Sequence, residues 1–367
     1  MSTTLFSPIT LRSLTVANRV WMPPMCQYSA APDGGAAGVP HDWHFTHLAA
    51  RAAGGTGLII VEATAVSPEG RISPYDLGLW NDTQTEAFRR ITAFLKEQGT
   101  VPVIQLGHAG RKASTERPWV DRGRALAPEE EHGWRTVAPS ALPFGTGVVT
   151  PEELTTEQIG EIVRQFADAA RRALDAGFQA VEIHGAHGYL VHQFLSPHTN
   201  RRTDGYGGSF EGRIRFALEV TDAVRAVWPE DLPLFFRVSA TDWLTENPQD
   251  GREGWTSADT VRLAKELHAH GVDLLDVSTG GLVPDARIEA APGFQVPFAE
   301  AVRNGTGMQV AAVGLITDPE QAQEILTSGR ADAVLLGREL LRDPSWARRA
   351  AAALGGTVTT PVQYHRA

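Results

Sequence analysis

At 367 residues the chain is long for one ordinary domain but normal for a β/α barrel that carries insertions. A net charge of −10 argues against a nucleic-acid partner, which clustered Lys and Arg would have to hold, and no apolar run approaches the roughly 20 residues that cross a bilayer. The single cysteine, Cys26, excludes an intrachain disulfide and any cysteine-built zinc or iron–sulfur site; with no basic stretch leading into an apolar block near the N-terminus, a cytoplasmic protein is expected.

Apolar, β-branched runs alternate with helical periodicity from end to end. The spacing predicts strand Val20–Met25, helix Asp42–Ala53, strand Gly57–Ala65, helix Thr83–Gln98 and strand Val101–Gly107. After a long gap come helix Thr156–Ala176, strand Ala180–Gly185, helix Gly212–Trp228, strand Leu234–Ser239 and helix Ser257–His270. The series closes with strand Leu274–Ser278, helix Phe298–Arg303, strand Gln309–Gly314, helix Asp318–Thr327, strand Ala333–Gly337 and helix Pro344–Leu354. Thr155 and the Asp318-Pro319 pair read as helix starts, Gly177 and Gly329 as stops.

Near-continuous apolar strands indicate a parallel sheet buried on both faces. An open doubly wound sheet would share that alternation. The count of eight, and the clustering of polar residues after the strands, favour a closed α/β (β/α)8 TIM barrel, one domain over residues 1–367. The stretch His108–Thr155 holds Pro118, Pro128, Pro139, Pro143 and Pro151 with little helical pattern, so a lid-like insertion is expected over 108–155, with a C-terminal tail over 356–367.

Catalysis in such barrels sits at the C-terminal ends of the strands. Those ends carry Cys26 and Tyr28, Glu62 to Thr64, Gln105 and His108, His184, His187 and Tyr189, Arg237, Ser278, Gly314, and Gly337-Arg338. The set is poor in carboxylates. Two histidines three apart suit a metal only with further ligands, and no other strand end offers an obvious pairing, so no metal is expected. Imidazoles there suit an oxyanion developing on a carbonyl substrate. Gly337-Arg338 and Gly314 sit where barrels bind phosphate, and no G-x-G-x-x-G follows the first strand. Tyr28 and Tyr189 are read as functional, with packed aromatics as the alternative. Arg111 and Lys112 are open between ligand contact and a solvated loop pair, and Glu62 between a direct role and support of a neighbour.

These motifs resemble the old yellow enzyme family. The resemblance rests on Phe6-Ser-Pro8, Asn18-Arg19, Pro23-Pro-Met-Cys26-Gln-Tyr28 and His108-Ala-Gly-Arg-Lys112. Its strongest stretch runs from Glu182-Ile-His-Gly-Ala-His187-Gly-Tyr189 through Ser196–Asp204 to Tyr206–Ser209, and Asp276-Val-Ser278, Ala312-Val-Gly314 and Leu336-Gly-Arg338 continue it. Cys26 and the tail Pro361–Arg366 are similar to the bacterial, thermophilic-like branch.

The resemblance implies FMN in the barrel mouth, surrounded by Pro24, Met25, Cys26, Ala63, Gln105, His184, Arg237, Ser278, Gly314, Gly337 and Arg338. Arg237 would face the N1/O2 edge of the flavin and Gln105 its pyrimidine edge. NADPH or NADH would be the reductant and an α,β-unsaturated carbonyl compound the substrate. His184 and His187 would hold the carbonyl oxygen, Tyr189 would supply a proton, and Cys26 would tune the flavin. Arg366 would reach a neighbouring subunit's site, making the protein a homodimer or a dimer of dimers.

Two other readings stand beside this one. Larger flavoenzymes of the dienoyl-CoA reductase or amine dehydrogenase type carry a cysteine cluster and a further domain, against which the lone Cys26 and the short stretch after the eighth helix weigh as expectations. A non-flavin barrel lyase or Schiff-base aldolase would need a lysine at a strand end, and the predicted strands offer none.

Overall fold

The structure is a computed structural model and describes residues 4–364 and 366. Eight parallel strands close a barrel: β1 (Val20–Met22), β2 (Leu58–Ala65), β3 (Val101–Gly107), β4 (Ala180–Gly185), β5 (Leu234–Ser239), β6 (Leu274–Ser278), β7 (Gln309–Ala312) and β8 (Ala333–Leu335). Closure comes from β8 against β1, with Val334 opposite Val20 and Leu335 opposite Trp21. The TIM barrel expected from the alternation of apolar runs is therefore the fold, and an open sheet is excluded.

Three strands stop short of their predicted ends, each for a local reason. β1 ends at Met22 because Pro23 and Pro24 have no N–H to give to a ladder. β7 ends at Ala312, two residues before Gly314, whose φ of +120° is open to glycine. β8 ends at Leu335 because Gly337 already opens a short helix, Gly337–Arg342. The Thr155 hydroxyl caps helix Thr156–Asp175 through Gln158 N–H, and Asp318 caps Pro319–Thr327 through the N–H groups of Glu320 and Gln321. Helix Val296–Thr306 is longer at both ends than the predicted Phe298–Arg303.

Inside the barrel the lower layers are apolar apart from Gln309, which the register sets level with Leu274. Trp21 and Phe235 stack with ring centroids 6.1 Å apart, among Leu58, Ile60, Val103 and Leu274. An N-terminal hairpin, Ile9–Leu11 with Leu14–Val16, closes the base by turning Ile9, Leu11, Leu14 and Val16 into the same cluster. A second apolar layer, with Phe88, Phe166, Phe216 and Leu263, lies between the strands and the surrounding helices.

The segment after β3 contains short turns, a single antiparallel bridge between Thr115 and Ala125, and a two-residue parallel pair, Val137–Ala138 with Glu152–Glu153. It is fastened across the C-terminal face of the barrel: Thr115 N–H and hydroxyl both donate to Ile72 O, and Trp134 Nε1–H donates to Glu69 O. The tail keeps to the opposite end, where Val358 and Thr359 lie against Gly55 and Gly99, the turns that lead into β2 and β3. Among the described residues no helix is long and apolar enough to cross a membrane.

Candidate active site

Strand residues alternate between the barrel interior and its outside. Since Phe235 and Leu274 point inward, so do Arg237, Ser239, Asp276 and Ser278 above them, and Glu182 and His184 follow Ala180 in the same way. A polar layer thus replaces the apolar one at the C-terminal end. Gln105 Nε2 donates to Glu182 Oε1 at 2.8 Å, and Arg237 Nε lies 3.1 Å from Asp276 Oδ2. All four are buried, and the Arg237 charge is felt by both carboxyls. Burial drives the Glu182 carboxyl well up in pKa, with the charge of Asp276 adding to it; burial likewise lifts Asp276 to about 6 against the pull of Arg237. The Arg237–Asp276 contact is close but misaligned. Arg237 Nε, both Asp276 oxygens, Glu182 Oε2 and His184 Nδ1 therefore lack hydrogen-bond partners within the chain.

Above this layer the His184 ring sits edge-on to His187 at 5.3 Å and to Tyr189 at 5.0 Å. His187 Nε2 lies 2.8 Å from Ser278 Oγ. Burial, followed by the charge of Arg237, holds both imidazoles well below the usual histidine range, so both are neutral. His187 and Gly188 both adopt left-handed backbone, with φ of 57° and 73°. Gly188 admits no side chain, because a Cβ there would fall 2.2 Å from Gly281 O.

Cys26, Tyr28, Ala63 and Tyr189 share one apolar cluster with Ile72 and Ala109. Burial raises the pKa of the Cys26 thiol and of both phenols, so all three hold their protons. The buried Glu62 carboxylate accepts Gln27 N–H, which fixes the segment carrying Cys26 and Tyr28. Trp119 from the long segment meets the Tyr28 ring edge-on at 5.9 Å.

A separate opening lies beside β7 and β8. Gly314, Gly337 and Arg338 border a cleft with Phe294, Gln295 and Thr317. Arg338 is exposed at its rim, in no ion pair among the described residues. Gln295 braces the floor: its Oε1 accepts from Thr279 Oγ1 at 2.8 Å and its Nε2 donates to Val313 O at 3.1 Å.

The strand ends singled out in the sequence thus converge on one face, Pro24 and Met25 included, with Met25 Sδ close to Gly337. Two readings need correction. Carboxylates are not scarce, because Glu62, Glu182 and Asp276 are buried in or beside the polar layer. Lys112 and Arg111 are not a solvated pair. Lys112 Nζ donates to His187 O and Gly281 O, and Arg111 donates to Leu142 O, Pro143 O and Leu282 O. Arg366 is exposed, and its tail approaches along the barrel end opposite this site.

Residues 4–355 match the NADH:flavin oxidoreductase / NADH oxidase family. A relative named NADPH dehydrogenase from Geobacillus sp. (strain WCH70) is 48% identical over 366 residues, covering 100% of this chain and 99% of its own length. Among solved structures, morphinone reductase superposes with a TM-score of 0.78 at 32% identity, over 98% of this chain and 92% of that one. The old yellow enzyme homologue from Zymomonas mobilis superposes with a TM-score of 0.76 at 29% identity, over 98% and 95%. The closed barrel, its polar upper layer and these full-length likenesses agree: the chain belongs to the NADH:flavin oxidoreductase / NADH oxidase family, as an old yellow enzyme-like oxidoreductase that works with FMN and NAD(P)H.

Proposed function

We propose that the protein is an ene-reductase, which uses NAD(P)H to saturate the activated C=C bond of α,β-unsaturated carbonyl compounds. The observation that carries this reading is the group of two neutral imidazoles and one protonated phenol at the mouth of the barrel, with the His184 ring 5.3 Å from His187 and 5.0 Å from Tyr189. Such a group can donate hydrogen bonds and a proton, and imidazoles held well below the usual histidine range are weak bases.

The residues fit FMN. Arg237 Nε and His184 Nδ1 are buried without a partner in the chain, and Gly314 and Gly337 line a cleft with Arg338, where glycines let backbone N–H groups approach phosphate oxygens. Pro24, Met25, Cys26, Ala63, Gln105, His184, Arg237, Ser278, Gly314, Gly337 and Arg338 would hold it. When bound, FMN supplies the redox chemistry, taking hydride from the nicotinamide and giving it to the β-carbon of the alkene. Gln105, with its Nε2–H already given to Glu182, keeps its carbonyl oxygen for a donor on the ligand. His184 and His187 hold the substrate's carbonyl oxygen, and their hydrogen bonds strengthen as enolate charge develops there. Tyr189 gives its phenol proton to the α-carbon, and Tyr28 and Cys26 line the same wall. Lys112 Nζ, 5.0 Å from the Tyr189 ring centroid, stabilises the negative charge left on that phenol.

A homodimer or dimer of dimers completes the reading, with Arg366 entering the neighbour's substrate site. Its support is the course of the tail, which runs along the far end of its own barrel. An anaerobic panel of enones, maleimides and nitroalkenes tests the activity. One saturated product per NADPH is expected for at least one class. A yellow protein that oxidises NADPH but consumes no alkene would overturn the substrate assignment.

A further inference from the structure

The turn that presents His187 and Tyr189 has two successive left-handed residues, whose backbone neither helix nor sheet supplies with hydrogen bonds. Every polar group along it is nonetheless held. His187 N–H donates to Ser239 Oγ at 2.9 Å, and its carbonyl accepts from Lys112 Nζ at 2.8 Å. Gly188 N–H donates to His192 Nδ1 at 2.9 Å, and Gly188 O accepts from Gln193 Nε2 at 2.7 Å. Tyr189 N–H donates to Ala186 O, and Tyr189 O accepts from Gln193 N–H at 2.8 Å. The middle contact, on Gly188 N–H, lies between the two functional side chains, and its acceptor is an imidazole.

We propose that His192, locked in one tautomer by Asp242, is the positioning residue that sets the directions of His187 and Tyr189. The proposal rests on the ene-reductase reading above and adds a residue that touches no substrate. An imidazole nitrogen accepts a hydrogen bond only when it carries no proton, so the His192 proton is on Nε2. Nε2–H donates to Asp242 Oδ1 at 2.7 Å. Asp242 cannot turn away, because its other oxygen accepts from Ser196 Oγ at 2.6 Å and from Trp255 N–H at 2.7 Å. His192, Asp242 and Ser196 are each 0% exposed. Rotating the ring would break both of its hydrogen bonds inside the protein, where neither group finds water. The dyad thus joins the segment after β5 to the turn after β4, and fixes the separation of the oxyanion donors and the proton donor.

Two amide substitutions separate positioning from stability. Asparagine places its carbonyl oxygen near the position of Nδ1, and glutamine places its amide nitrogen near that of Nε2. His192→Asn therefore keeps the acceptor for Gly188 and gives up the donor to Asp242, whereas His192→Gln does the reverse. The expected kcat for cyclohexenone stays within a few-fold of wild type in H192N and falls roughly tenfold or more in H192Q. Thermal stability should rank the other way, because H192N leaves a buried carboxylate oxygen unpartnered. Amide exchange at Gly188 should be at least about tenfold faster in H192Q and near wild type in H192N. Activity that follows stability, or equal Gly188 exchange in both variants, would overturn the proposal. Should wild type fail to reduce cyclohexenone, the functional reading falls and Gly188 exchange alone decides the positioning role. An unprotected Gly188 amide in wild type would remove the proposal even if neither variant folds.

Discussion

The two ends of the barrel are built from the same strands and do opposite things with them. At the base, Trp21, Phe235 and Leu274 pack against the hairpin's Ile9, Leu11 and Leu14, and no charged group enters the cluster. Two residues further along the same strands, Arg237 and Asp276 take the inward positions, with Glu182 and Gln105 beside them. The base meets its needs almost entirely within the chain, with Gln309 Oε1 and Thr56 Oγ1 as its isolated unpartnered atoms. The upper layer leaves buried nitrogens and oxygens unpartnered, which is costly in a folded protein unless a ligand satisfies them. One end is therefore a source of stability, and the other stores unmet hydrogen bonding for a cofactor and substrate.

Substitutions at either end should separate along that line. Replacing both His184 and His187 by Ala should cut alkene reduction by at least roughly 10³-fold while FMN stays bound, since loss of one oxyanion donor alone typically costs 10²–10³. Activity lost to a chelator and restored by zinc would instead make the pair a metal site. At the base, Trp21→Ala should cost about 3–5 kcal/mol of stability, read from denaturant unfolding, with kcat of the folded fraction unchanged. A variant of normal stability and altered kcat would blur the division between the ends.

Acid–base behaviour should also be confined to the site end. Asp76 accepts the N–H groups of Ile72 and Ser73 beside the site, and burial raises its pKa to about 7. Between about 4 and 7 the folded form holds a proton that the unfolded carboxyl has shed, so this group's contribution to stability falls as pH rises through that window and levels off above it. Asp76→Asn should remove that part of the slope, measured as the wild-type-minus-variant difference in unfolding free energy. A difference independent of pH would contradict the assignment. Smaller still, Cys26→Ser should shift the FMN reduction potential and leave substantial turnover, because a hydroxyl is the stronger donor. Complete inactivation with FMN bound would make Cys26 a nucleophile. Removing residues 361–367 should raise KM for substrate or nicotinamide without loss of FMN. Unchanged kinetics, or a monomer in light scattering, would discard Arg366 as a shared residue.

The barrel was legible because buried parallel strands read as unbroken apolar runs, and five of the eight carry the predicted C-terminal boundary. What escaped was short. The hairpin strands have three residues each, and the helices Leu190–Leu195 and Gly337–Arg342 have six, too few for a period to emerge. In the site, the His184-to-Tyr189 stretch was visible as a motif. Glu182 and Asp276 passed unassigned inside apolar runs, although counting every second residue down from His184 and Ser278 places them on the inward face. Lys112 was visible in the motif after β3, but nothing local showed that it is tied into the barrel mouth. Its burial depends on the Gly281 carbonyl, 169 residues away in the chain.

The central claim is that the unfinished end of the barrel carries out an FMN-dependent alkene reduction governed by its histidine pair. The direct test is single turnover: wild type and the His184→Ala/His187→Ala variant are bleached anaerobically with one equivalent of NADPH, then mixed with cyclohexenone or with oxygen. The account predicts that cyclohexenone restores the yellow colour of wild type and yields cyclohexanone, that it leaves the variant bleached, and that oxygen restores both. Equal recovery of wild type and variant with cyclohexenone would contradict it.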